Sequence, residues 1–485
     1  MKKLQELLSF KIDHSLGKKV VSSICDNSKH TPPESMFIAL GRDITNRKNH
    51  INEAISNGAK YILQDSENGE NYFTIKDNIL FLFAKNVRRE LAHVASTFFR
   101  SNFEILVAVT GTNGKTSTVD ILRQIWIESG ISAASIGTLG VITREKCEKL
   151  PHNMTSPDCV ELHRILHTLC ESGIKNIAME TTSQAIDQHR IDEIRFNLCA
   201  FTNLSQDHLD YHKTFENYWN AKERLFSELA DDNSIFVVND DDKYSEKIYE
   251  IAQNRGIKCF SYGRSSNDIK IMDIIAKEYN QRVKISFFGK EISFVLPLQG
   301  AFQVYNSVCA AVTAHLLGLD LEKIIDHLPK LQSINGRLEL IAQLGATSVY
   351  IDYAHTPDAL KNALLALRNH AKKRIITVFG CGGNRDQQKR ILMGEVAQKF
   401  SDFTIITDDN PRNEDPEQIR KMILQGCPEA TEIGDRKEAI EFAINMSSDG
   451  DILLIAGKGH EIYQQKEGES LDFSDRKTIL EAVQK

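Results

Sequence analysis

No stretch of the 485 residues approaches the roughly 20 consecutive apolar residues that a bilayer-spanning helix needs. No block of lysine or arginine is dense enough to track a phosphate backbone or an anionic membrane, and the formal net charge of -7 is spread along the chain. Neither membrane insertion nor nucleic-acid binding is therefore expected. Prolines number only 10 and no low-complexity tract reads as a linker or tail, so disorder is not expected to carry function. The 9 cysteines include no pair at the two-residue spacing of metal and redox motifs, which points to reduced, mostly buried thiols in a cytoplasmic protein. A secretory leader is not expected either, because Glu6, Lys11 and Asp13 interrupt any apolar core after the first lysines.

What is present, 41% apolar and 26% charged residues, suits a folded protein of about three globular domains. No repeat at solenoid periods is visible. Residues 1–102 contain short apolar runs (Met36 to Leu40, Tyr61 to Leu63, Ile79 to Phe83) and end in the helix-like RRELAHVASTFFRSN, as a small α/β domain would. Residues 103–333 open with the strand ILVAVT, turn through GTNGKT and continue as a helix with Val119, Leu122, Ile125 and Trp126 on one face. Further strand-like runs end at Met179, Thr202 and Asn239, as in a parallel sheet whose site lies at the strand carboxyl ends. Residues 334–485 alternate strands with helices (TSVYIDY, DALKNALLALRNHA, RIITVFG, KRILMGEVAQKF and onward), a second, Rossmann-like parallel sheet. Its polar clusters CGGNRD, DNPRNED and GKGHE each follow a strand, so this domain should bind a ligand of its own.

TGTNGKT, residues Thr110, Gly111, Thr112, Asn113, Gly114, Lys115 and Thr116, has the form of a strand-to-helix phosphate loop. Backbone N–H groups and a helix N-terminus would face the phosphates of ATP, with Lys115 on the outer ones and Thr116 on Mg²⁺. Val109 stands where the longer form of this loop has its first glycine. Glu180 closes the strand-like IKNIAM, where a carboxylate can face such a loop, although an exposed cap is the plainer alternative. His208 and His212 form an i, i+4 pair, yet Leu209 replaces the glutamate of a zinc-protease helix, so that reading is rejected.

In order, TGTNGKT, METTSQAIDQHR, TNLSQDHLDYH, YWNAKERLF, INGRLE, DYAHTPDAL, GCGGNRD, DDNPR and GKGHE closely resemble the motifs of the Mur ligases of peptidoglycan synthesis. Within that family the match is to members that add the third peptide residue to UDP-N-acetylmuramoyl-L-alanyl-D-glutamate. The resemblance covers nearly the whole chain and is weakest over the first hundred residues. It implies a monomeric, cytoplasmic ligase that phosphorylates a peptide carboxylate with ATP and then forms an amide. It further implies that Glu180, His208 and Thr116 surround Mg²⁺ together with Lys222 as a carbamate (N6-carboxylysine). Without the resemblance, Lys222 would read as a solvated helix charge. By the same match, Asn306, Arg337, Asp352 and His355 lie near adenosine and ribose, Ser28 and Arg42 meet the nucleotide sugar, and Thr155, Ser156, Thr182, Gln188 and Arg190 meet the peptide.

The amino acid is expected in the third domain, at Arg385, Asp409, Asn410, Pro411, Arg412, Gly457 and Glu461. DNPR is the form found in members that add meso-diaminopimelate, whose second carboxylate suits a guanidinium, whereas lysine-adding members usually differ at the arginine. Departures from the family pattern are Asn27-Ser28-Lys29 for Asp-Ser-Arg, hydroxyl swaps at Ser156 and Thr182, and Gln184 in place of a common histidine. The alternatives are an L-lysine-adding ligase, a folylpolyglutamate synthase-like ligase, and a nucleotide-binding regulator without catalysis.

Overall fold

The computed structural model describes residues 1–41, 43–150, 154–277 and 280–484. The chain divides into two compact units: Met1–Ala108, Ile131–Asn197 and Ala221–Ser234 form one, and Val109–Gly130, Leu198–Asn220 and Ile235–Lys485 the other.

In the first unit, Ile24–Cys25, Met36–Ile38, Tyr61–Asp65 and Ile79–Ala84 form a parallel sheet in that order, with Tyr72–Lys76 antiparallel at its edge. The central strands are near-continuous apolar runs because both of their faces are covered. Helix Val87–Phe99 starts where the Asn86 side chain accepts from the Arg88 and Arg89 N–H groups, satisfying two orphan donors of the first turn. Its buried stripe, Val87, Leu91, Val94 and Ala95, packs with Leu4, Leu7, Met36 and Leu82. The unit also holds Ala133–Gly137 and Asn176–Glu180, paired in parallel, with Gly140–Ile142 and Cys147–Glu148 added antiparallel.

In the second unit, Leu198–Phe201, Ile235–Asn239 and Lys258–Gly263 are parallel and are extended by Ile269–Ala276. Gln281–Phe287 and Lys290–Leu296 then return antiparallel. Sequence reasoning did not foresee this meander, although Gln281, Val283, Ile285 and Phe287 are buried while Arg282 and Lys284 are less so, the period of two of a one-sided strand. Helices Lys115–Glu128 and Ala301–Leu316 pack on one another.

A six-stranded sheet in the same unit runs Glu339–Leu344, Thr347–Asp352, Ile452–Ala456, Ile375–Phe379, Phe403–Ile406 and Thr431–Glu432. Only the first of these is antiparallel to its neighbour. Alternate residues of its strands enter two cores. One core lies under helices Pro357–Arg368, Gln388–Phe400 and Pro416–Gly426, the other under Arg436–Met446 and Asp475–Val483. Loops 353–356, 380–387, 407–415 and 457–462 all emerge at strand carboxyl ends, where ligands of open α/β sheets collect.

Candidate active site

The phosphate loop is built as its sequence demands. Gly111 (φ 145°) and Gly114 (φ 89°) occupy backbone regions that L side chains avoid, and a Cβ on Gly111 would run into the Thr202 hydroxyl. Gly114 is the N-cap of helix Lys115–Glu128. The loop is pinned by TNLS: Asn113 N–H donates to Asn203 Oδ1 (2.9 Å), and Thr202 Oγ1 and Asn203 Nδ2 donate to the Asn113 carbonyl (2.6 and 3.0 Å). Thr112 Oγ1 accepts from Ser205 N (3.0 Å) and lies 3.0 Å from Tyr218 Oη. Lys115 Nζ donates to the carbonyls of Gly111 and Thr112 (2.9 and 2.7 Å).

A cavity of about 320 Å³ opens beside the loop, lined by Asn113, Asn306, Arg337, Asp352, Tyr353 and His355 among others. Arg337 Nη2 donates to Thr116 Oγ1 (2.7 Å), and its guanidinium lies 4.6 Å from the centre of the Tyr353 ring. Its Nε is buried with no partner among the described residues, a donor that a bound ligand would satisfy. Asp352 accepts from Leu338 N (2.6 Å) and Ala354 N (2.7 Å), and burial pushes its carboxyl up to about 6, against the pull of Arg337. Asn113 Nδ2 reaches Asp358 Oδ2 at 3.3 Å. The four residues expected near the nucleoside, Asn306, Arg337, Asp352 and His355, thus share one cavity with Asn113 and Gly114 of the loop.

Asp207 is a hub that sequence reasoning passed over. Its Oδ2 lies 3.4 Å from His208 Nε2 and 3.7 Å from His355 Nε2. Burial raises its carboxyl, but His208, His355 and Lys389 outweigh burial and hold it well below the usual range. The surrounding contacts tie SQDHLDYH to the last sheet: Gln206 Nε2 donates to Asp386 Oδ2 (3.2 Å), and Arg385 Nη1 lies 3.6 Å from Asp210 Oδ2. Its one visible signal was its place beside His208 in that motif.

Loops 407–415 and 457–462 of the last sheet are joined side by side by hydrogen bonds. Asn410 Nδ2 donates to Glu461 Oε2 (2.9 Å), and Arg412 Nη1 donates to the Gly383 carbonyl (2.9 Å). Arg412 is left-handed (φ 54°), and its N–H donates to the Gln465 carbonyl at 2.9 Å. Burial, then the charge of Arg385, lowers the Arg412 guanidinium below its ordinary value, against the pull of Asp409 and Glu461. Pro411 O packs on Gly383 so closely that a Cβ there would collide, and a Cβ on Gly457 (φ 113°) would lie 2.5 Å from Asp409 Oδ2. Arg385, Asp409, Asn410, Pro411, Arg412, Gly457 and Glu461 therefore form one cluster, and Arg390, paired with Glu414 at 2.6 Å, braces its loops.

In the first unit, Ser156 Oγ donates to the Glu180 carbonyl (3.1 Å) and lies 3.2 Å from Thr182 Oγ1, which caps the following turn at Ala185 N. Arg190 donates to Gln188 Oε1 through Nε and Nη2 (3.1 and 2.7 Å) and to the Ser156 carbonyl through Nη1 (3.1 Å). Thr155 Oγ1 lies 3.1 Å from Thr138 Oγ1, and Thr138 N donates to Glu180 Oε1 (2.7 Å). Thr155, Ser156, Glu180, Thr182, Gln188 and Arg190 are thus one connected patch, joined by Thr138, for which the sequence offered no signal. Ser28 is buried, and its hydroxyl donates to Glu53 Oε2 (2.6 Å). Arg42 lies outside the described residues. Lys222 is 1% exposed, so its reading as a solvated charge is excluded.

Residues 109–314 match the Mur ligase middle domain, and 336–459 match the Mur ligase glutamate ligase domain. The UDP-N-acetylmuramoyl-L-alanyl-D-glutamate–2,6-diaminopimelate ligase of Chelativorans sp. (strain BNC1) is 39% identical over 469 residues, covering 96% of this chain and 95% of that protein. A solved structure of a UDP-N-acetylmuramoyl-L-alanyl-D-glutamate–2,6-diaminopimelate ligase superposes with a TM-score of 0.72 at 31% identity, covering 100% of this chain and 99% of that one. A Mycobacterium tuberculosis folylpolyglutamate synthase shares the fold at a TM-score of 0.63 and 16% identity, covering 76% of this chain and 92% of that one.

Proposed function

The chain belongs to the Mur ligase family, and from that membership, the cavity at its phosphate loop and the polar cluster of its last sheet we infer that it is an ATP-dependent amide ligase of peptidoglycan precursor synthesis. It joins meso-diaminopimelate to the D-glutamate of UDP-N-acetylmuramoyl-L-alanyl-D-glutamate. The observation that carries this reading is the pairing, within one unit, of a cavity against a phosphate loop with a separate polar cluster bearing a fixed guanidinium, Arg412, and a fixed carboxylate, Glu461. An amino acid with a free carboxylate and a free ammonium at one end matches that cluster. We assign residues 1–102 to the UDP sugar, 103–333 to ATP and phosphoryl transfer, and 334–485 to the amino acid, all in a cytoplasmic monomer.

The chemistry follows from what a carboxylate lacks. It is a poor acyl donor, so the γ-phosphoryl group of ATP is transferred to the peptide carboxylate, giving an acyl phosphate and ADP. Lys115 offsets the charge that develops on the transferred group. The diaminopimelate amine then attacks the acyl carbon, and the tetrahedral species loses phosphate and a proton to give the amide. Water would hydrolyse the acyl phosphate, and contacts such as Asn113 with Asp358 and Gln206 with Asp386, which draw the last sheet onto the phosphate loop and its neighbour, serve to exclude it.

By the family pattern, magnesium would be held by Thr116, Glu180, His208 and a carbamate on Lys222, whose hydroxyl and carboxylate oxygens are the donors a hard cation prefers. The burial of Lys222 supports carbamylation, because a buried ammonium is costly and a carbamate turns it into an anionic ligand. Mg²⁺ held by these residues would lower the barrier by neutralising charge on the γ-phosphoryl oxygens.

The test is mass spectrometry of the product made from UDP-muramoyl dipeptide, ATP and equal amounts of competing amino acids. A tripeptide containing diaminopimelate is expected. ATP turnover that depends on a folate instead of the UDP-muramoyl dipeptide would overturn the reading.

A further inference from the structure

Lys458 stands between two glycines just after a strand, which is the sequence form of a lysine that grips phosphate. The structure gives it other work. Its side chain is 0% exposed, and Nζ donates to Asn410 Oδ1 (3.1 Å) and Glu461 Oε2 (2.9 Å). It also lies 5.5 Å from the centre of the Tyr463 ring, so the ammonium is surrounded and has no opening to a phosphate.

A fully buried ammonium is a costly way to stabilise a fold. Desolvation takes back most of the Coulomb gain, and an apolar side chain of similar length generally serves as well. What such a cation does supply is a single arrangement of its acceptors. Glu461 Oε2 receives both Lys458 Nζ and Asn410 Nδ2, while Asn410 Oδ1 receives both Lys458 Nζ and Gln465 N (2.9 Å). The Asn410 amide can satisfy these partners in one orientation only, with its oxygen toward Lys458 and its nitrogen toward Glu461. The loop after Phe403–Ile406 and the loop after Ile452–Ala456 are thereby locked together, and one oxygen of Glu461 is fully engaged.

We propose that Lys458 is a positioning residue for the amino-acid substrate: it holds Glu461 turned so that its other oxygen, Oε1, receives the ammonium of diaminopimelate. The inference rests on the reading of Asp409–Arg412 and Gly457–Glu461 as the amino-acid cleft. Removing the ammonium takes from Glu461, whose side chain is 12% exposed, the cation directly hydrogen-bonded to it. Binding of the amino acid then weakens, while the phosphate loop and the peptide patch are left untouched.

The experiment compares Lys458→Met, Glu461→Gln and the double variant. The KM for diaminopimelate should rise on the order of 10²-fold in Lys458→Met, as when one member of a buried charge pair is truncated. The KM for ATP should stay within about twofold, a change too small to signal a lost contact. Acyl phosphate formation is measured separately by trapping with hydroxylamine in the absence of the amino acid, and its rate should match the parent enzyme. The double variant should bind diaminopimelate no worse than Glu461→Gln alone, because Lys458 acts through that carboxylate. An unchanged KM for diaminopimelate in Lys458→Met, a trapping rate that falls in step with amide synthesis, or additive effects in the double variant would each overturn the proposal while leaving the cleft assigned. If Glu461→Gln itself leaves that KM unchanged, the cleft is misassigned and the proposal falls with it. Should Lys458→Met not fold, Lys458→Gln, which keeps an amide donor without the charge, carries the same expectation.

Discussion

Arg412 is expected to decide which amino acid is added. One of its nitrogens is held by the Gly383 carbonyl, and no carboxylate bonds the guanidinium among the described residues, while Arg385 adds further positive charge nearby. The second carboxylate of meso-diaminopimelate can accept two charge-assisted hydrogen bonds from it, each worth about 1.5 to 3 kcal/mol. Because the guanidinium is only partly buried, the sum is discounted by about half, leaving about 1.5 to 3 kcal/mol, on the order of 10- to 10²-fold. L-Lysine lacks that carboxylate and forfeits the whole of it. In competition at equal concentrations, the diaminopimelate tripeptide should therefore exceed the lysine tripeptide by about that factor, read from product masses. Arg412→Ala should raise the KM for diaminopimelate by a similar factor and leave the KM for ATP alone. Arg412→Lys should recover only part of the loss, since a point charge replaces a planar fork. A wild-type product that is mainly the lysine peptide, or an Arg412→Ala variant that loses both amino acids equally, would refute the reasoning.

Lys115→Ala should lower turnover on the order of 10²-fold or more with an unchanged circular dichroism spectrum, and near-normal rates would exclude its role in phosphoryl transfer. Lys222→Ala should be inactive and regain some activity with a small carboxylate added in trans, whereas an unmodified Lys222 in a crystal structure with Mg²⁺ and nucleotide would exclude the carbamate. Burial raises the Asp352 carboxyl to about 6, so it is ionised above that pH and protonated below it. Its capacity to accept from a ribose hydroxyl is therefore lost as pH falls, and the KM for ATP should climb below about pH 6 in the parent enzyme, with Asp352→Asn removing that component and leaving the nucleotide's own titration. Arg436 and Asp475 form a fully buried pair at 2.8 Å, and Asp475→Ala should destabilise the protein by about 3 to 5 kcal/mol in urea unfolding because it strands a guanidinium.

The phosphate loop could be read from the chain because its chemistry is local: an apolar strand, glycines at strained backbone positions and a helix with one hydroxyl and one lysine at its start lie within a few consecutive residues. The alternation of strands and helices after residue 334 was equally visible, since its periodicities switch cleanly. The edge strand Glu339–Leu344 and the meander Ile269–Leu296 were not, because strand direction depends on which neighbour a strand meets and not on its own residues. The same holds for side chains whose meaning is set by burial. Asp207 and Thr138 are ordinary polar residues in sequence and Lys458 has the sequence form of a phosphate lysine, yet each becomes a hub only because tertiary packing removes water and leaves particular partners within reach. The sequence by itself determined where the polar and glycine clusters fall along the strand ends; only the tertiary structure decided which polar groups are buried together, since desolvation and pairing belong to the folded neighbourhood and not to the residue.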